Sequence, residues 1–206
     1  MLDVWTLKLI KPPLVATAKQ LKQRGVTANQ VTVVGFALGM LAIPTLAFEY
    51  YYWALGFILA NRISDGIDGA LARETHPTDS GGYLDIVFDF IFYSGVVLGF
   101  ALANPAENAI AACVLVFAFM GTGSSFLAYA IMAERHQIKS LDYPSKGFYY
   151  LGGLTEGTET IALYILFCLL PNFFPHLAYG FAALCFITTF TRVIGGYHTL
   201  KQLEAN

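Results

Sequence analysis

Residues 65–89 read DGIDGALARETHPTDSGGYLDIVFD, and the fold turns on how this stretch is read. Asp65 and Asp68 stand three apart; Asp85 and Asp89 stand four apart. On helices, both spacings put the paired carboxylates on one face. The runs on either side are apolar, so these helices are expected to lie in a membrane. An ionised carboxylate there is costly unless protons, partner charges or a metal neutralise it. Four together, among small residues, point to a divalent-metal site. A proton or cation pathway through a transporter is the rival reading.

Composition supports the membrane setting. Of 206 residues, 56% are hydrophobic and 13% charged, against about 25% charged in a soluble domain. Cys113, Cys168 and Cys185 all fall in apolar stretches and lack zinc-like spacing. They are expected to be inert thiols rather than a disulfide framework. The opening MLDVWTLKLIKPP has no basic leader followed by an apolar core and a small-residue cleavage site, so no signal peptide is expected. Nothing in the charge pattern calls for a nucleic-acid partner.

A crossing helix needs about 20 apolar residues. Six spans are expected: 31–49, 51–73, 82–103, 108–133, 157–171 and 176–198. The fold class is therefore all-α, with a six-helix bundle over 28–201 in a single domain. Lys8, Lys11, Lys19, Lys22, Arg24, Arg62, Arg73, Arg135, Lys139, Lys146, Arg192 and Lys201 all fall toward one side. The excess of cations on that side predicts cytoplasmic termini and places the aspartates near the cytoplasmic face of a cell inner (plasma) membrane. In residues 1–27, Trp5, Leu7, Leu9, Ile10, Leu14, Val15 and Leu21 alternate with lysines, and Pro12-Pro13 interrupts the run. This is expected to be an interfacial amphipathic segment on anionic lipid.

The stretch 65–89 resembles the signature of the CDP-alcohol phosphatidyltransferase family, D-x2-D-G-x2-A-R, a short loop, then G-x3-D-x3-D. Asp65, Asp68, Gly69, Ala72, Arg73, Gly81, Asp85 and Asp89 match it. Such a match arises by chance on the order of 10^-10 per start position. The family usually has eight residues between the Arg and the second Gly; here seven lie between Arg73 and Gly81. The resemblance implies an enzyme that transfers a phosphatidyl group from CDP-diacylglycerol to a small water-soluble alcohol and releases CMP. It implies a pair of Mg2+ or Mn2+ ions on Asp65, Asp68, Asp85 and Asp89, with Asp89 also the general base on the acceptor hydroxyl. It implies that Arg73 holds the diphosphate, that Gly69 and Gly81 let the nucleotide approach the backbone, and that Ala72 keeps that wall thin. A homodimer is the family's usual assembly.

The TANQVT run at 27–32 is similar to the family's T-P-N-x-L-T opening, with Ala28 in place of the proline. Thr27 suits a helix N-cap. Asn29 and Thr32 are expected either to shape the nucleotide pocket or to serve capping alone. For the acceptor, Arg135 and Lys146 in the loop after the fourth span, with Arg192 in the last, suit a phosphate. Glu156 and Glu159 suit a hydroxyl or ammonium group, or the N-terminus of their own helix. Arg192 is either an acceptor anchor or the partner of one of those glutamates. The balance tips toward a phosphorylated polyol such as glycerol 3-phosphate; inositol, inositol phosphate, serine and choline-type acceptors stay open.

Overall fold

The computed structural model of the chain describes residues 3–136 and 154–204, with side chains from residue 11 onward. Eight α-helices are described: α1 (Asp3–Gln23), α2 (Ala28–Met40), α3 (Ala42–Ala47), α4 (Tyr51–Glu74), α5 (Asp79–Ala103), α6 (Pro105–Arg135), α7 (Gly157–Leu169) and α8 (Phe174–Glu204). No strand occurs among the described residues. Local chemistry explains most of the boundaries. Thr27 caps α2 in a reciprocal capping box with Gln30. Thr78 caps α5, and Asn104 with Pro105 opens α6.

Four segments are long and apolar enough to cross a membrane: Ala28–Ala47, Asp79–Ala103, Pro105–Arg135 and Pro171–Glu204. The chain is an integral membrane protein. Four of the six expected spans thus meet the criterion, and two do not for physical reasons. The second half of α4 carries Arg62, Asp65, Asp68 and Arg73, which lower its hydropathy. With 13 residues, α7 reaches only about 20 Å of a hydrocarbon core about 30 Å thick. The first span is broken at Leu41 into α2 and α3. Pro44 has no N–H for the Met40 carbonyl, and the Thr45 hydroxyl is placed to donate to the carbonyls of Leu41 and Ala42 at 2.8 and 2.9 Å.

Pro12 and Pro13 do not interrupt the N-terminal segment; α1 runs through both. The ladder bonds lost there are offset by packing. Leu14, Val15 and Leu21 flank the buried Ala18 and lie against Ala70 and Leu71 of α4. Part of the amphipathic face predicted to rest on lipid therefore rests on protein.

The bundle is drawn together by glycines facing side chains on neighbouring helices. Gly35 and Gly39 of α2 meet Ser64 and Asn61 of α4, and Gly95 and Gly99 of α5 meet Ile43 and Leu46 of α3. Small residues at helix crossings allow this approach. Away from the aspartates, Phe100, Phe167 and Phe174 form the centre of the core, with centroids 4.6–5.3 Å apart. Phe48, Tyr50, Tyr52 and Trp53 stand exposed around the turn between α3 and α4, the pattern of an aromatic belt. Cys168 and Cys185 are buried and Cys113 is exposed; all three are free thiols.

Candidate active site

The connection Thr75–Thr78 turns the chain so that the end of α4 faces the start of α5. Asp65 and Asp68 then look across at Asp85, and one oxygen from each lies within 4.8 Å of the others. With Asp89 they line a cleft whose remaining walls are Thr32, Gly35 and Phe36 of α2, Asn61 and Arg62 of α4, and Phe88 of α5. Phe88 stacks on Phe36 at 4.1 Å and closes one side. Thr32 lies within hydrogen-bonding reach of the buried Asp68.

Three carboxylates this close repel one another unless a cation sits among them. Hard oxygen donors of this kind suit Mg2+ or Mn2+. The donor set at Asp65, Asp68 and Asp85 therefore fits a divalent ion.

Asp89 is placed differently. One turn along α5 from Asp85, its Oδ1 accepts a hydrogen bond from Arg62 Nη2 at 2.6 Å. Arg62 entered the sequence reading only as a charge that orients the chain. Its side chain is 13% exposed and lies over the rings of Phe92 and Tyr93, 4.7 and 5.1 Å from their centroids. Nη1 donates to the Tyr93 hydroxyl at 3.0 Å and lies 3.6 Å from Asp65 Oδ2. A signal was available in the sequence: Arg62 precedes Asp65 by three residues, on the same helix face.

The glycines of the motif behave unlike each other. A Cβ on Gly81 would stand 2.7 Å from Asn29 Oδ1, so a side chain there would have to displace the end of Asn29. A Cβ on Gly69 would meet only Arg73, at 3.5 Å, an ordinary contact. Arg73 is exposed and folds back along Gly69; Ala72 is half-buried beside it.

Arg192, expected at the acceptor, lies where α8 packs on α6. It donates to the Thr122 carbonyl at 3.1 Å. The next residue, Gly123, faces Phe90, the neighbour of Asp89. Glu156 lies within electrostatic reach of Arg192. Glu156 and Glu159 also form a capping box at the start of α7. That start approaches the aspartates through Tyr93, whose hydroxyl would be 3.9 Å from a Cβ on Gly157. Arg135 is exposed in the last turn of α6, while Lys146 lies outside the described residues.

Residues 25–193 match the family model of the CDP-alcohol phosphatidyltransferases. The chain belongs to that family. This phosphatidyltransferase is 55% identical over 204 residues to "Inner membrane protein YnjF" of Escherichia coli (strain K12), covering 99% of each chain. It is 29% identical over 200 residues to "Archaetidylinositol phosphate synthase" of Pyrococcus horikoshii, covering 95% of each. Its fold matches the crystal structure of Mycobacterium tuberculosis phosphatidylinositol phosphate synthase (PgsA1) with CDP-DAG bound, at a TM-score of 0.69 and 18% identity. That match covers 89% of this chain and 93% of the other. Membership of an enzyme family removes the ground for the transporter reading.

Proposed function

We propose that this phosphatidyltransferase uses a divalent cation to move a phosphatidyl group from CDP-diacylglycerol to a hydroxyl of a phosphorylated polyol. The observation that carries the proposal is the convergence of Asp65, Asp68 and Asp85 within 4.8 Å beside a fourth carboxylate, Asp89, held one turn away. When bound, the cation neutralises the diphosphate and eases departure of CMP. Asp65, Asp68 and Asp85 hold it, and Arg73 binds the diphosphate through its planar guanidinium. Thr32 orients Asp68, and Asn29 supports the wall at Gly81. Asp89 takes the proton from the acceptor hydroxyl. Its Oδ1 is engaged by Arg62, and we assign Oδ2 to the acceptor. The new bond joins the acceptor oxygen to the lipid-side phosphorus, and the bond from that phosphorus to the CMP oxygen breaks.

Arg192 anchors the acceptor's phosphate, with Glu156 setting its orientation. The charge pattern supports glycerol 3-phosphate. Inositol phosphate is supported by the names of the archaeal and mycobacterial proteins. The second half of α4 crosses with its charged face turned to the cleft, and both termini lie on the cytoplasmic side of the inner membrane, following the distribution of cations.

The test is CMP release from CDP-diacylglycerol and Mg2+ by detergent-purified protein, with glycerol 3-phosphate, inositol phosphate, inositol, serine and choline supplied one at a time. Release with one of the two phosphorylated polyols alone is expected. Release with serine, choline or unphosphorylated inositol alone would overturn the acceptor class. Absence of both release and CDP binding would overturn the transfer reading.

A further inference from the structure

We propose that Arg62 is a resident cation of the site. Its guanidinium takes the place of a second divalent ion beside Asp89, so the chain holds one such ion, at Asp65, Asp68 and Asp85. The proposal rests on the metal-dependent reading above and departs from the ion pair that the motif implies.

Position is the first argument. Arg62 reaches Asp89 at 2.6 Å and Asp65 at 3.6 Å, so it links a carboxylate of the cluster to the one outside it. A cation shared between those two residues would have to compete for the same space.

Immobility is the second. Nε and Nη2 both donate to Asn61 Oδ1, at 2.8 and 2.5 Å, and Nη1 donates to Tyr93. Asn61 is itself buried and fixed, its Nδ2 donating to the Gly35 carbonyl at 3.0 Å. Swinging Arg62 out would break these bonds and strip the guanidinium from two aromatic faces. It would also leave Asn61 Oδ1 without the donors given to it by Arg62, a cost that rises in a site of low dielectric.

Charge is the third. A divalent ion close to Asp89 would also be close to a guanidinium that cannot deprotonate. Like charges at that range repel strongly where water is scarce. By contrast, the opposite wall at Asp68 and Asp85 carries no comparable cation among the residues lining the cleft.

The experiment counts Mn2+ bound per chain by the spin-resonance signal of free Mn2+, on the full chain in detergent, without CDP and with saturating CDP. One Mn2+ per chain is expected in both conditions for the wild type and for Arg62→Lys. Arg62→Gln removes the charge and keeps a hydrogen-bonding head; it is expected to take a second Mn2+ when CDP is bound. Two Mn2+ per wild-type chain would overturn the proposal, as would an unchanged count in Arg62→Gln that melts cooperatively. If Arg62→Gln does not fold, the wild-type and Arg62→Lys counts decide. CMP release is measured on the same wild-type sample. Release with two Mn2+ bound sinks the role of Arg62 and keeps the transfer reading. One Mn2+ bound without release under any acceptor does the reverse.

Discussion

Asn29 of α2 occupies the space that a side chain on Gly81 of α5 would need, its Oδ1 2.7 Å from the place of a Cβ. The first turns of the two helices thus meet at this point. Thr78 Oγ1, the cap of α5, lies 3.0 Å from the same point.

Gly81→Ala should therefore destabilise the protein although alanine is the better helix former. The contact predicts coupling: the stability loss in Gly81→Ala should shrink in an Asn29→Ala background, with an interaction energy of about 1 kcal/mol. Thermal melts of the four proteins in detergent measure it. Additive losses would move the demand for glycine from Asn29 to the ligand.

Asp89→Asn should lower kcat by at least roughly a hundredfold, the usual effect of removing a positioned base, while CDP-lipid binding persists. The asparagine carbonyl can still accept from Arg62, so the fold should survive. Asp89→Ala should cost about 3 kcal/mol more, because it strands a buried guanidinium. Calorimetry with CDP-diacylglycerol and a CMP-release assay separate the two variants; full turnover by Asp89→Asn would remove Asp89 as the base.

Thr32→Val keeps shape and removes the hydroxyl near Asp68. Groups that orient a metal ligand typically contribute ten- to a hundredfold in metal affinity. The Mg2+ concentration for half-maximal CMP release should rise by roughly tenfold, with kcat at saturating Mg2+ little changed. Chelation of the wild type should abolish release, and added Mg2+ or Mn2+ should restore it. An unmoved Mg2+ requirement in Thr32→Val would confine Thr32 to its own helix, where its hydroxyl also lies 3.1 Å from the Ala28 carbonyl.

Arg192→Ala should raise the KM for the acceptor by roughly tenfold, the scale of one charge-assisted hydrogen bond, and leave the KM for CDP-diacylglycerol almost unchanged. Equal changes in both would place Arg192 in packing between α6 and α8. Arg192→Lys should recover part of the affinity, since a phosphate also accepts a point charge.

The aspartates were legible because a helix converts sequence spacing into facing. Asp65 with Asp68 and Asp85 with Asp89 needed only the helical period to be paired, and the cluster at Asp65, Asp68 and Asp85 follows. The capping role of Thr27 was equally local. Arg62 escaped notice because its meaning depends on Tyr93 and Asp89, about thirty positions away, and a spacing rule within one helix does not see them. Pro12-Pro13 misled for a similar reason: proline chemistry is local, but the packing of Ala18, Leu14 and Leu21 on α4 that offsets it is not. The contact of position 81 with Asn29 was not legible, since Asn29 lies in another helix and motif spacing does not reach it.

The length of α5 also sets a depth. Asp89 lies ten residues in from Asp79 along a helix of 25 residues, about 15 Å at the α-helical rise. If that helix is centred on a hydrocarbon core about 30 Å thick, Asp89 sits roughly 10 Å beneath the surface. Lipid headgroups float above that level, so the donor's diphosphate and the soluble reactant would both have to descend to reach the carboxylates. The cleft, walled by α2, α4 and α5, would then act as a sieve, excluding alcohols by girth before charge is consulted.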